Sequence, residues 1–264
     1  MHVLLESQEQ VDKFVELCFD LQLDIQRSDI CQAWARHLEQ ENKVGLAVSY
    51  FEKGQSFSDI ERICWAHFER LLLTGIPLLI NICDVKGGND PNMDPKLVEI
   101  LGNPPQSPMT GTLIAPLALL FNFYTLKHQN DASQAVQYLA KLFRLSSLPR
   151  AYIVLLMVEM LRLLDGSAQF SEMLIITDRR MITIGHKDLF EVLAAVEDYI
   201  ANEDACQKGS ELLSRAIQTN SPMETGSGYG SWTEISPQKY TSDDIVGLFR
   251  VKVTKVIAQL YAMN

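Results

Sequence analysis

The sequence predicts an all-α protein, and three observations predict it. Helix-starting signals recur along the chain, as in Ser7-Gln8-Glu9-Gln10, Ser58-Asp59-Ile60-Glu61 and Asp131-Ala132-Ser133-Gln134. In each, the first side-chain oxygen can accept the backbone N–H three residues on. Behind them, apolar residues fall at i, i+3, i+4 and i+7, one face of a helix. Gly and Pro then close the runs at short intervals, and no set of alternating residues amounts to a strand ladder.

Taken in order, the Ser7 box leads into Val11, Phe14, Val15, Cys18 and Phe19 on one face. Ser28 opens a second helix through Ile30, Cys31, Trp34 and Leu38. A third, from about residue 42 to 52, stops at Gly54, where a left-handed cap suits glycine. The Ser58 box starts a helix that buries Ile60, Cys64, Phe68, Leu71 and Leu72 and ends at Gly75. Pro77 sits in the first turn of a short apolar helix that fails by Lys86-Gly87-Gly88. Asp94-Pro95 starts another, closed by Gly102 and Pro104, and 103–111 reads as a Pro-rich loop. A long apolar helix follows, from about 112 to 127, with Pro116 in its first turn. Asp131 caps the next, with Val136, Leu139, Leu142 and Phe143 inward.

Pro149 opens the most hydrophobic helix, 150–164, whose apolar residues cover nearly every face. Such a helix belongs at the centre, with neighbours on both sides. Residues 174–185 are β-branched and read two ways. One is a hairpin turning at Asp178-Arg179-Arg180; the other is a short helix from Ser171 to Ile176 and a bend. The helix is favoured, because an isolated hairpin is marginal in water. Two more helices, 188–202 and 204–219, precede a long Gly- and Ser-rich loop over 220–241. A last helix begins near Thr241-Ser242-Asp243-Asp244 and runs to about Ala262. Trp34, Phe68, Leu155 and Leu193 lie on apolar faces and are expected to be buried.

That makes twelve or thirteen helices, a pair about every 40 residues, which is the rhythm of HEAT and armadillo arrays. With Gly75-Ile76-Pro77-Leu78-Leu79 as a turn-plus-helix start, the chain resembles the armadillo/HEAT superfamily. The resemblance implies an α-α superhelix over a single domain, 1–264, with a concave binding face. It carries no functional residue over. PCI and TPR-like arrays fit almost as well, although 220–264 supplies no winged-helix end for the former.

Of 264 residues, 23 are Lys or Arg and 33 Asp or Glu, a net charge of −10. A surface this acidic repels phosphate backbones and anionic lipid, so neither nucleic acid nor membrane is the expected partner. The longest apolar runs, such as Ala151–Val158, fall short of the ~18 residues a membrane span needs. Cys18, Cys31, Cys64, Cys83 and Cys206 make an odd count with no Cys-x-x-Cys, there is no N-x-[ST] sequon, and no signal peptide is evident. Free buried thiols and a reducing compartment, cytoplasm or nucleus, are expected.

No chemistry stands out. His2, His37, His67, His128 and His186 are far apart, and Cys64-x-x-His67 is half a zinc site with no second half. In Asp84–Asp94, Lys86 occupies a calcium-ligand position and Pro91 disturbs the turn. No Gly-x-Ser-x-Gly surrounds Gly226-Ser227-Gly228. Asp243-Asp244 and Asp188 with Glu191 sit at helix starts, where the helix dipole accounts for them. We therefore expect no catalytic residue, no metal and no cofactor. The expected function is a protein-interaction scaffold, a subunit of a larger intracellular complex; the alternative is a helical enzyme, or an enzyme's regulatory subunit, without a recognisable motif.

Charge and loops supply the candidate contacts. Residues 141–187 invert the overall sign, with seven bases to four acids. Within them Lys141, Arg144 and Arg150 flank a helix junction, and Arg179 and Arg180 cluster further on. In a stacked array these form one basic strip suited to an acidic protein segment, because the guanidinium fork pairs carboxylates bidentately. The alternative is that each pairs with a nearby acid such as Glu159, Asp165, Glu172 or Asp178. The 220–241 loop carries Tyr229, Trp232 and Tyr240, residue types that dominate interface hot spots. Ser107-Pro108 and Ser236-Pro237 match the proline-directed phosphorylation pattern.

Overall fold

The capping signals and the apolar periodicity both become helices. The computed structural model describes residues 7–74, 94–103, 107–129, 131–165, 186–219 and 241–262. Among them are eleven α-helices and no strand. They are α1 (Gln8–Asp20), α2 (Asp24–Gln40), α3 (Val44–Lys53), α4 (Phe57–Thr74), α5 (Pro95–Gly102) and α6 (Pro108–His128). Then come α7 (Ala132–Phe143), a 3₁₀ turn (Arg150–Tyr152), α8 (Ile153–Asp165), α9 (His186–Ile200), α10 (Glu203–Thr219) and α11 (Ser242–Ala262). The helix expected after Pro77, the 174–185 stretch and the 220–240 loop lie outside the described residues. The chain divides into two compact units: Met1–Phe68 with Leu78–Ala118, and Glu69–Pro77 with Leu119–Asn264.

In the first unit, α1 packs on α2, α2 on α3 and α3 on α5. Ser7 caps α1 by accepting the Gln10 N–H at 3.4 Å. The links α1–α2, α2–α3 and α3–α4 repeat one device. After each helix a non-glycine residue adopts positive φ: Gln22 at 56°, Asn42 at 59°, Gln55 at 54°. The next N–H then reaches back to a carbonyl of the preceding turn: Leu23 to Cys18 at 2.8 Å, Lys43 to Leu38 at 2.9 Å, Ser56 to Phe51 at 2.9 Å. This is the Schellman closure, which satisfies carbonyls a helix end leaves orphaned.

Three sequence expectations are corrected here, and the α1 face proves only partly covered. Gly54 has φ −85°, so the left-handed residue is Gln55. Gly54 is small for another reason: a Cβ there would meet Cys31 Cβ at 3.1 Å and the Ser28 carbonyl at 3.2 Å. Ser28 does not open α2, which begins at Asp24; its hydroxyl donates to the Gly54 carbonyl at 2.7 Å. Nor does Ser58 open α4, where the hydroxyl of Ser56, just before the helix, donates to Asp59 at 2.7 Å. On α1 only Val11 and Cys18 of the apolar face are buried, while Phe14 and Phe19 are exposed.

The long apolar helix α6 starts at Pro108, which shortens the 103–111 loop and puts Pro116 inside the helix. Pro108 suits the first position, where no N–H is needed. By length and composition α6 is able to cross a membrane, although the short apolar runs suggested no span; half of its most apolar window is buried within the protein.

In the second unit, α8 is the central helix, packed by α7, α9, α10 and α11. Residues 153–161 are all buried, matching apolar residues on every face. Trp34, Phe68 and Leu155 are buried as expected. Leu193 is only half-buried, because α9 turns Leu189, Val192, Val196 and Tyr199 inward instead.

Candidate functional site

The sequence nominated the cations at the end of α7. Arg144 caps that helix, and its guanidinium pairs with both Asp188 and Glu191 of α9. Arg150, in the 3₁₀ turn, lies 3.2 Å from Asp198, three turns along α9. Both arginines therefore face one acidic helix, and on that helix Glu197 takes Arg250 from α11. Lys141 is exposed, its ammonium 4.8 Å above the Tyr138 ring. Arg144 and Arg150 thus meet acids as the alternative had it, but the acids are on α9 and not those named from neighbouring sequence. Arg179, Arg180, Tyr229, Trp232 and Tyr240 lie outside the described residues.

A second charged group was not anticipated as a site. Glu159 sits in the middle of α8 and is 1% exposed. Its carboxylate accepts Lys127 of α6 and, at 2.9 Å, Arg162 one turn on. Burial pushes the carboxyl pKa up, but Lys127 and Arg162 outweigh it and hold the group below the usual range. Beside it the fully buried Tyr124 phenol is pushed well up, by burial first and then by the Glu159 charge. The Lys127 ammonium also lies 5.5 Å from the Tyr124 ring centre. This is a structural pin, one buried carboxylate held between two cations. A lone Glu inside an apolar run was the available signal.

The remaining concavity of note is a cleft of about 310 Å³ lined by Glu69, Tyr152, Lys208, Glu211 and Arg215 among others. Three of its groups meet: the Tyr152 hydroxyl donates to Glu69 at 2.9 Å, and Arg215 pairs with Glu69 at 2.7 Å. Burial, then the Glu69 bond, raises the Tyr152 pKa, so its phenol stays protonated near neutral pH. Among the described residues no three of His, Cys, Asp or Glu gather as metal ligands. Cys18, Cys31, Cys64 and Cys206 are free thiols, and burial pushes Cys64 up to about 12, far from a reactive thiolate. Cys83 lies outside the described residues.

What the surface does show is exposed apolar area. Phe19 on α1 is 66% exposed and Ile25 at the start of α2 74%, with Leu17 on α1 and Leu21 in the turn exposed as well. On α11, Val251 is 67% exposed and Tyr261 60%. Exposed large apolar groups, when clustered, mark surfaces for other proteins. Compared with known proteins, residues 1–187 match the family model described as Nup85 Nucleoporin. No curated protein matches the chain.

Proposed function

Because the chain belongs to the Nup85 nucleoporin family, we propose that it is a structural subunit of the nuclear pore complex, working at the nuclear envelope by binding other proteins. The observation that carries this reading is the family match over 1–187. An all-helical body with exposed apolar surface supports it. The finer architecture is part of the proposal: one helical-repeat domain over 1–264, an α-α superhelix of the armadillo/HEAT kind. The recurring Schellman-closed links of α1 to α4 support a repeated unit.

Partner binding through the basic strip of Lys141, Arg144, Arg150, Arg179 and Arg180 is also proposed, with Tyr229, Trp232 and Tyr240 as aromatic anchors. Exposed Lys141 supports it; the α9 acids beside Arg144 and Arg150 reduce the field it presents. Exposed pairs contribute only about 0.2–1 kcal/mol each, so the strip would orient an acidic segment more than hold it.

The test is to tag the full-length protein at its own locus and follow it. A nuclear rim pattern, with elution in a large assembly containing other nucleoporins, supports the proposal. Diffuse signal and elution as a lone chain would overturn it. For the strip, the Arg144→Glu, Arg179→Glu, Arg180→Glu variant is expected to bind the co-eluting partner more weakly, with a shallower salt dependence. Unchanged binding at low and high salt would remove the strip from recognition.

A further inference from the structure

The second half of α1 turns large apolar side chains outward. Phe14, Leu17 and Leu21 follow at steps of three and four, which is one stripe of a helix. Leu21 still belongs to that stripe, because its N–H bonds the Leu17 carbonyl at 3.0 Å. All three are exposed, while Val11 and Cys18 fill the inner side. Scattered single apolar residues are ordinary on a surface; a stripe of large ones marks a contact. Within the same two turns, the order round the helix from Leu17 is Asp20, Glu16 and then Phe19, all exposed.

The two acids add a second observation. Glu16 and Asp20 stand one turn apart, and like charges at that spacing repel. Asp20 ends a helix whose last turn carries no base, so the negative end of the helix dipole opposes it as well. Neither acid makes an ion pair among the described residues. The bases of α1, α2 and α3 are taken by other acids: Lys13 by Glu9 at 2.8 Å, Arg27 by Asp24 at 3.2 Å, Arg36 by Asp59 at 3.8 Å and Lys53 by Asp12 at 3.3 Å. The fold thus carries an electrostatic cost here that no described cation offsets.

That cost says what would approach. A cation arriving from outside relieves both repulsions, and apolar groups arriving with it cover Leu17 and Leu21. A second copy of this face would set acids against acids. Anionic lipid and nucleic acid carry the same sign as Glu16 and Asp20 and are repelled. A protein segment that is both apolar and basic meets every feature of the face.

We propose that the outward face of α1 is a docking site for a basic amphipathic helix of another protein, one whose large apolar side chains pack on Phe14, Leu17 and Leu21 and whose Lys or Arg side chains meet Glu16 and Asp20. Rows of side chains at steps of three and four are the ridges into which a second helix packs. The inference rests on the scaffold reading and adds where one partner sits and what chemistry it has.

The test places the photoreactive residue p-benzoylphenylalanine at Leu21 of the full chain in its native cells. Irradiation is followed by mass spectrometry of the crosslinked peptide. The expected product joins α1 to a Lys- or Arg-rich amphipathic segment of a different protein. The double variant Glu16→Lys, Asp20→Lys is expected to cut that crosslink by about tenfold. Its melting temperature should be equal or higher, because cations suit the end of a helix. Leu17→Ser is expected to reduce the crosslink as well. A crosslink insensitive to both variants, one to lipid, to a second copy, to another stretch of this chain or to an acidic segment, or none at all, would overturn the proposal. Elution of the chain is measured on the same cells. The basic crosslink in a chain outside any nucleoporin assembly would support the α1 site and overturn the scaffold reading; presence in the assembly without the crosslink would overturn the α1 site alone.

Discussion

The Asp94 carboxylate accepts the backbone N–H of Gly45 at 2.5 Å, across 49 positions of sequence. The same group caps its own helix, α5, through the Lys96 N–H at 2.9 Å and the Leu97 N–H at 3.4 Å. One side chain thus ties the starts of α3 and α5 together. The approach is close enough that a Cβ on Gly45 would lie 2.2 Å from the Leu97 nitrogen and 2.5 Å from the Lys96 carbonyl carbon. Those are backbone atoms, so Gly45→Ala has to push α5 away, at a cost we expect to be about 3 kcal/mol, the upper end for overpacking. Asp94→Ala removes a cap and strands the Gly45 N–H, for about 2 kcal/mol or more. Because both act on one contact, the double variant should cost much less than their sum in urea unfolding. Additive costs would mean that the two residues act independently.

The α3–α4 link separates two properties of glycine that the sequence ran together. At Gly54 the backbone is ordinary and the space is filled; at Gln55 the backbone is left-handed. Gln55→Gly is therefore expected to stabilise the protein by about 0.5–1 kcal/mol, since glycine adopts positive φ without a steric penalty. Gly54→Ala is expected to destabilise it, as the new methyl presses on Cys31 and the Ser28 carbonyl. Thermal melts of the two variants should shift in opposite directions. A loss of stability in Gln55→Gly would contradict the link geometry.

These cases show which parts of the molecule a sequence exposes. Helix existence follows from local signals, which is why the Ser7 cap, the Thr241–Asp244 box and the all-buried run of α8 were readable. Starts shifted by up to one turn at α2, α4 and α6, because Ser28, Ser58 and Pro116 also suit helix interiors or surfaces. Gly45 was not readable, since its reason for being glycine arrives from residues 94–97. Phe14 and Phe19 carry the same periodicity as Trp34, yet they stay exposed, because periodicity names a face and not what covers it. The basic strip was legible as charge, but its α9 partners lie more than 40 positions away from Arg144 and Arg150.

Leu155 and Leu193 make a direct comparison of one residue type in two settings. Leu155 is fully buried at the centre of α8, while Leu193 on α9 is only half-buried. Leu155→Ala is expected to cost about 2–5 kcal/mol, from lost burial plus the cavity left in a helix packed on several sides. Leu193→Ala should cost distinctly less, because water already reaches the site. Urea midpoints measure both, and equal losses would mean that α9 is rotated from the orientation described.

Glu159 gives the pH-dependent prediction. Its folded pKa lies below the ordinary 4.5 because Lys127 and Arg162 outweigh burial. A depressed carboxyl pKa contributes stability that is fully present above the unfolded value. That stability is lost as pH falls through the lower folded value. Stability is therefore expected to decline on acidification below about pH 4.5, and Glu159→Gln should flatten that part of the profile. At neutral pH, Glu159→Gln removes the carboxylate that Lys127 and Arg162 share, which is expected to cost about 3–5 kcal/mol. Replacing Lys127, Glu159 and Arg162 together by Met removes the charges along with their desolvation, so the triple variant should be far closer to wild type than the single one. Chemical denaturation across pH 3–7 tests both statements. If Glu159→Gln kept the wild-type acid slope, the carboxylate would be contributing nothing to the low-pH limb, and the α6–α8 pin would rest on apolar packing alone.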